Sequence, residues 1–448
     1  MHVYATPFET QTAAFLEILE GVEDKNMFFF RRRFLPLFIT QFFNAFSDSA
    51  FRNAIAILIT YRIAKDSQEA GLLVTLSAGI FILPYFLFSA TAGQLADKYD
   101  RARLTRIYKI MEAALMALAV LAFYHGNTWF LMIILFAMGA QSTFFGPIKY
   151  ALLPQQLKSN ELMTGNAYVE GGTFISILVG TIVGGLVILL DNGVLLISVI
   201  LMASAVFGYI ASRFIMHAPG GSPELKINGN IFQESFRVVS NVSQNRRLFS
   251  YLLLISWFWL MGSIFLSQMS IFTKEYLYSD ETVVTMCLTI FSVGIAAGSI
   301  FCSKISRGKP SLRFVPAGAM GMAICTALLI AYGRSGIADQ DALYNVAQFA
   351  GNPAHLPVAL FLFGIAFFGG IYTVPLYTLV QIEANKTYIA RVIATNNILN
   401  SFFMVTSAIL VLGIYAAGFS VLYVFGLPAS GNLIIALYLY CKRGKWRS

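Results

Sequence analysis

The chain has 448 residues, of which 57% are hydrophobic and only 12% charged, whereas soluble domains carry roughly 25% charged residues. Its 31 Lys and Arg against 22 Asp and Glu give a formal charge of +9, which in a soluble protein would point to nucleic acid. With so few charges overall, lipid is the solvent that fits, and the basic excess is explained by its position along the chain rather than by a nucleic-acid partner.

From the N-terminus, Met1–Asn26 is acidic (Glu9, Glu17, Glu20, Glu23, Asp24) and amphipathic, with Phe8, Phe15, Ile18, Leu19 and Val22 at near-helical spacing. It lacks the apolar core of a cleaved signal, so the first span is expected to be retained and residues 1–33 to lie on the cytoplasmic membrane surface. Apolar runs long enough to cross roughly 30 Å of hydrocarbon as a helix then recur to the C-terminus. They are continuous rather than alternating, which excludes a β-barrel. The predicted spans are Leu35–Tyr61, Leu72–Ala96, Leu104–Tyr124, Trp129–Ile148, Thr164–Leu190 and Val194–Ile215, making a first bundle over residues 34–215. Residues 216–247 form a polar linker, opening on His217-Ala-Pro-Gly-Gly-Ser-Pro223 and continuing as an amphipathic segment with Ile231, Phe232, Phe236, Val239 and Val242. The second six spans, Leu248–Phe272, Thr282–Ser303, Leu312–Tyr332, Leu356–Val380, Tyr388–Tyr415 and Phe419–Cys441, make a second bundle over 248–441, and 442–448 is a basic tail.

Basic residues sort by side. One side holds Arg31, Arg32, Arg33, Lys98, Arg101, Arg103, Arg106, Lys149, Lys158, Arg213, Lys226, Arg237, Arg246, Arg247, Lys304, Arg307, Lys309, Arg313, Lys386, Arg391 and the C-terminal tail; the other holds Arg62, Lys65, Lys274 and Arg334. The positive-inside rule therefore puts both termini and the linker in the cytoplasm.

Ionisable groups inside spans are functional candidates, because each costs at least about 2.5–3.5 kcal/mol to insert. In the first span Asn44, Asp48 and Arg52 fall one turn apart on one face. Asp48 and Arg52 could simply neutralise each other, or release one another to a charged ligand. Lys149 closes the fourth span and Glu170 sits two turns into the fifth. Lys109 and Glu112, at i,i+3 in the third span, read as a structural pair. The second bundle offers Gln268, Tyr372, Tyr377, Gln381, Asn396, Asn397 and Asn400 in place of charges. Cys287, Cys302, Cys325 and Cys441 are scattered and read as free thiols. No metal cluster, nucleotide loop or nucleophile elbow is present, so neither an enzyme nor a cofactor is expected. His125, His217 and His355 read as surface residues.

After the second span stands Gly93-Gln-Leu-Ala-Asp97-Lys98-Tyr-Asp100-Arg101-Ala-Arg103. It resembles the signature between spans two and three of the major facilitator superfamily, with Asp100 where that pattern usually has glycine. The matching place in the second half, Gly298-Ser-Ile-Phe-Cys302-Ser-Lys304-Ile-Ser-Arg307, keeps the bases and replaces the acid by Cys302. Four further stretches, Gln41-Phe-Phe-Asn-Ala-Phe-Ser-Asp48, Phe145-Gly-Pro-Ile-Lys149-Tyr, Gly165-Asn-Ala-Tyr-Val-Glu170 and Gly369-Gly-Ile-Tyr-Thr-Val-Pro375-Leu-Tyr-Thr-Leu-Val-Gln381, are similar to the bacterial lysophospholipid transporter family. They most resemble the transporter half that some bacteria fuse to an acyltransferase.

That resemblance implies an all-α membrane protein of twelve helices in two six-helix bundles, moving lysophosphatidylethanolamine or a similar lipid inward across the bacterial inner membrane by alternating access. Reacylation would follow on the cytoplasmic side, by a separate acyltransferase as partner, with the transporter itself a monomer. The substrate-binding residues would be Asp48, Arg52, Lys149, Glu170, Asn44, Gln268, Tyr372 and Asn396, and the conformational latch Gly93, Asp97, Lys98, Arg101 and Arg103. Two other functions fit the residues: a proton-coupled exporter of an amphiphilic drug or metabolite, with Asp48 or Glu170 as the proton site, and a non-transporting membrane partner of an acyltransferase. The intramembrane charges argue against the last, since an anchor has no use for their cost.

Overall fold

The computed structural model describes residues 28–63, 67–307, 309–335 and 343–441. The surface helix expected within residues 1–27 and the tail 442–448 lie outside them. The first half contains α1 (Leu35–Leu58), α2 (Ser67–Lys98), α3 (Arg101–His125), α4 (Thr128–Gln156), α5 (Leu162–Ile188) and α6 (Gly193–Arg213). A short helix, α7 (Ile231–Ser243), follows in the connecting stretch. The second half contains α8 (Arg246–Tyr276), α9 (Glu281–Ile305), α10 (Phe314–Ser335), the single-turn α11 (Val346–Gly351), α12 (Leu356–Glu383), α13 (Ile389–Ala416) and α14 (Val421–Cys441). Each predicted span falls on one of the twelve long helices.

The sequence marks the helix ends chemically. Asp100, Asn127, Asn230 and Asn245 cap α3, α4, α7 and α8 with side-chain oxygens that accept backbone N–H groups, filling donors a helix start leaves open. Gly126, at φ +62°, closes α3 in the left-handed region. Among the described residues, eleven helices are long and apolar enough to cross a membrane. Helix α1 is not one of them, because Gln41, Asn44, Asp48, Arg52 and Asn53 interrupt it.

Glycine lets α5 bury that polar helix. A methyl on Gly184 would sit 2.2 Å from the Ala50 carbonyl oxygen, and one on Gly180 2.6 Å from that of Phe46. Close packing of this kind supplies most of the helix association available in lipid. The halves meet along two main seams, α2 against α13 and α5 against α9, with α4 and α12 between them. Among the described residues, every hydrogen bond between the halves lies towards the helix ends that carry Lys98, Lys158 and Arg391, here termed the basic end.

Candidate functional site

A cavity of about 260 Å³ lies between the halves near mid-helix. Its first-half wall is built by α1, α2, α4 and α5, and includes Gln41, Asn44, Asp48, Arg52, Ser142 and Lys149. The second half contributes Trp259, Tyr377, Asn397 and Asn400. Sequence spacing brings Asn44 and Asp48 onto one face, and the Asn44 amide indeed donates to the Asp48 carboxylate at 3.0 Å. Ser142 of α4 donates to the same oxygen at 2.5 Å.

Behind Asp48 the polar network continues into α3. The Lys109 ammonium, fully buried, donates to Asn44 Oδ1 at 3.0 Å and to Glu112 at 2.5 Å, and Gln141 donates to Asn44 at 3.2 Å. Lys109 and Glu112 thus pair as their spacing predicts, outside the cavity wall, and Lys109 also holds the residue that holds Asp48.

The cavity's cations make no direct ion pair with its acids. Among the described residues no ion pair joins Asp48 to Arg52 or Lys149 to Glu170. Instead the Arg52 guanidinium lies 5.2 Å over the Phe81 ring and the Lys149 ammonium 4.7 Å over that of Tyr150. Ring faces attract cations without cancelling their charge. Glu170 accepts from the Tyr150 hydroxyl at 3.3 Å through one carboxylate oxygen, and the other is buried without a partner.

The basic-end floor of the cavity joins the halves. Tyr150 stacks on Tyr377 with ring centroids 4.7 Å apart and planes 1° from parallel. Asn166 and Gln381 exchange amide hydrogen bonds of 2.6 and 3.1 Å, and Gln381 also donates to the Tyr150 carbonyl at 3.1 Å. Three stretches singled out in the sequence, ending at Tyr150, Glu170 and Gln381, thus converge on one spot. Three other predicted residues stand back from the cavity, as Glu170 does. Tyr372 donates to the Leu254 carbonyl in the second-half core, Gln268 accepts from Tyr415 at 2.5 Å, and Asn396 is buried one residue from the lining Asn397. None of the three forms the cavity wall. His355, read as a surface residue, is buried and stacks on Phe349 with centroids 4.2 Å apart.

Towards the basic end, Gly93 brings α2 onto α13: a methyl there would lie 2.8 Å from Ala394 Cβ. Asp97 then reaches across. Its carboxylate accepts from the Arg391 side chain at 2.9 Å, from the Ala390 and Arg391 backbone at 3.0 and 3.2 Å, and from Arg101 at 3.1 Å. Arg391 is the partner sequence reasoning did not assign. Lys98 lies over Tyr99 and Arg103 is exposed, so neither meets Asp97. Asp100 has its own task, capping α3 while accepting from the linker's Ala218 N–H at 2.9 Å and pairing with His217 at 2.8 Å. The linker ties down further through Ser222, whose N–H donates to the Asp97 carbonyl at 2.7 Å and whose hydroxyl donates to that of Thr387 at 2.5 Å.

The second seam has no acid. Cys302 sits with Met163, Ala167, Ile371 and Val374 in an apolar cluster shared by α5, α9 and α12, beside a 2.9 Å hydroxyl contact between Thr164 and Ser303.

Residues 37–408 match the family described as the Major Facilitator Superfamily. The chain belongs to that superfamily. Among solved structures of the same fold, the human organic anion transporter MFSD10 (TETRAN) superposes with a TM-score of 0.67 at 13% identity, covering 91% of this chain and 99% of that one. The superfamily transporter FucP in its outward conformation gives 0.66 at 13%, over 91% and 99%. In sequence the chain is similar to the lysophospholipid transporter LplT of Cronobacter sakazakii, at 26% identity over 413 residues, covering 91% of this chain and 94% of that protein. The LplT of an Enterobacter species is 27% identical over 400 residues, covering 87% and 89%. Together with the eleven apolar helices, superfamily membership makes this a multi-pass membrane transporter.

Proposed function

We propose that this superfamily member carries lysophospholipid, such as lysophosphatidylethanolamine, across the bacterial inner membrane by alternating access, delivering it for reacylation by a separate cytoplasmic acyltransferase. The observation that carries the reading is a cavity whose wall offers both signs of charge with no contact ion pair between them: Asp48 against Lys149 and Arg52, with the half-partnered Glu170 behind. A zwitterionic head needs both signs, because burying either of its charges unpaired is costly. The acids take the ammonium and the cations the phosphate. A volume of about 260 Å³ falls below the roughly 300–1,000 Å³ typical of ligand pockets, so it suits a head group, and the acyl chain extends beyond it. The similarity to LplT proteins over nearly the whole chain supports the same substrate class.

In this reading the basic end and both termini are cytoplasmic. Residues 34–215 and 248–441 are the two moving bundles and 216–247 the linker. The latch of Asp97 with Arg101 and Arg391 then holds the cytoplasmic end shut, which is the outward-open state. Uptake of labelled lysophosphatidylethanolamine into spheroplasts tests the reading: Asp48→Asn and Lys149→Ala are each expected to abolish uptake with insertion intact. Normal uptake by both variants would remove the site, and no uptake by the parent would favour the exporter.

A further inference from the structure

A second cavity, also about 260 Å³, lies under α7 at the basic end of the α2/α13 seam. Its walls come from both halves and the linker: Gln94 of α2, Lys226 of the linker, Arg237 of α7, Leu248 of α8 and Arg391 of α13. Three cations face one buried carboxylate, Glu234. Arg391 pairs with Asp97 at 2.9 Å, a carboxylate that Arg101 shares at 3.1 Å. Among the described residues, neither Lys226 nor Arg237 has an ion-pair partner. With Lys226, Arg237 and Arg391 against Glu234, the wall is net positive, the complement of a phosphodiester.

The rest of the wall is apolar, formed by Leu225, Val238, Val242 and Leu248. On its other side α7 turns Phe232 and Phe236 outward, 70% and 79% exposed and one turn apart. A short helix with such a face lies in the lipid interface, so the cavity opens where lipid heads are. A free anion has no need of the apolar wall, and a zwitterionic lipid would leave the extra cation unmatched.

We propose that this cavity binds an anionic phospholipid of the leaflet at the basic end, its phosphate between Lys226 and Arg237, and that occupancy favours closure of that end. The coupling follows from the walls. They belong to both halves and part when Arg391 leaves Asp97, so an occupant binds the closed form better and shifts the balance towards it. This does not depend on which molecule the transporter carries.

Cys302, 1% exposed in the α5/α9 seam, is a native reporter of opening at the same end. With Cys287, Cys325 and Cys441 replaced by Ser, the protein is reconstituted in phosphatidylcholine vesicles with or without phosphatidylglycerol, and modification of Cys302 by a permeant maleimide is timed. Phosphatidylglycerol is expected to slow it by roughly fivefold or more, the low end of usual coupling factors. The Lys226→Gln, Arg237→Gln double variant should lose that response, and so should Asn241→Trp, which fills the cavity without changing charge. Lys158→Gln with Arg246→Gln, which removes equal charge outside the cavity, should keep it. Equal rates in the two vesicles, or an unchanged response in the Lys226, Arg237 variant, would overturn the proposal. Slowing by inorganic phosphate in pure phosphatidylcholine would also overturn it, making the site one for soluble anions.

Discussion

At the scale of single residues, Asp48 is held by a chain of donors that ends in a buried ion pair two helices away. Such a pair is weak evidence of stabilisation, but removing one member alone costs about 3–5 kcal/mol, because it bares the other charge. Lys109→Ala and Glu112→Gln should therefore each lower the melting temperature sharply. The double change Lys109→Met, Glu112→Leu is expected to recover most of the stability and little of the uptake, since Asn44 keeps only Gln141 of the two donors that fix it against Asp48. Thermal unfolding in detergent and lipid uptake, measured side by side, separate the two effects; recovery of both together would reduce the pair to packing. The contact of Asn44 with Asp48 was legible in the sequence, because one helical turn separates them. That of Lys109 with Asn44 was not, since it depends on how α3 docks on α1 across 65 residues of chain.

At the scale of elements, the two seams are built from opposite chemistry, ionic between α2 and α13 and apolar between α5 and α9. The missing acid at Cys302 announced that asymmetry in the sequence, and the helix-end motif placed Asp97. Its partner Arg391, 294 positions along, carried no local signal beyond its place among the bases. Asp97→Asn keeps the shape of the side chain while removing the charge shared by Arg101 and Arg391. It should shift the protein towards opening at the basic end, so that Cys302 reacts with maleimide faster and turnover slows more than substrate binding weakens. A change in affinity alone, with Cys302 unaltered, would contradict the latch.

For the whole molecule, twelve helices in two halves were readable because lipid leaves a chain few choices: every backbone polar group must be satisfied within its own helix. The cavity was less readable. The polar stripe of α1 lines it, but Tyr372 and Gln268, equally polar and equally within spans, spend their hydrogen bonds on Leu254 and Tyr415. Periodicity does not tell which neighbour a side chain will find. The charge count predicts an orientation, with the basic end in the cytoplasm, and substituted cysteines test it. In intact cells an impermeant maleimide should label Lys274→Cys and spare Lys226→Cys; strong labelling at 226 would invert the topology and with it the direction assigned to the latch.

The polarity of α1 bears on how the chain is made. Asp48 and Arg52 each add about 2.5–3.5 kcal/mol to the cost of entering the bilayer near a helix centre, and α1 lacks the apolar run that carries its neighbours across. Yet it emerges during synthesis before the other described helices of its bundle. Its stable place is the groove of α5, where Gly180 and Gly184 admit its backbone, and α5 is synthesised about a hundred residues later. Helix α1 must therefore wait, shielded by the insertion machinery or lying at the interface, until its partner arrives. Helix α1 is thus secured only after α5 is made, and biogenesis carries the burden of its charges.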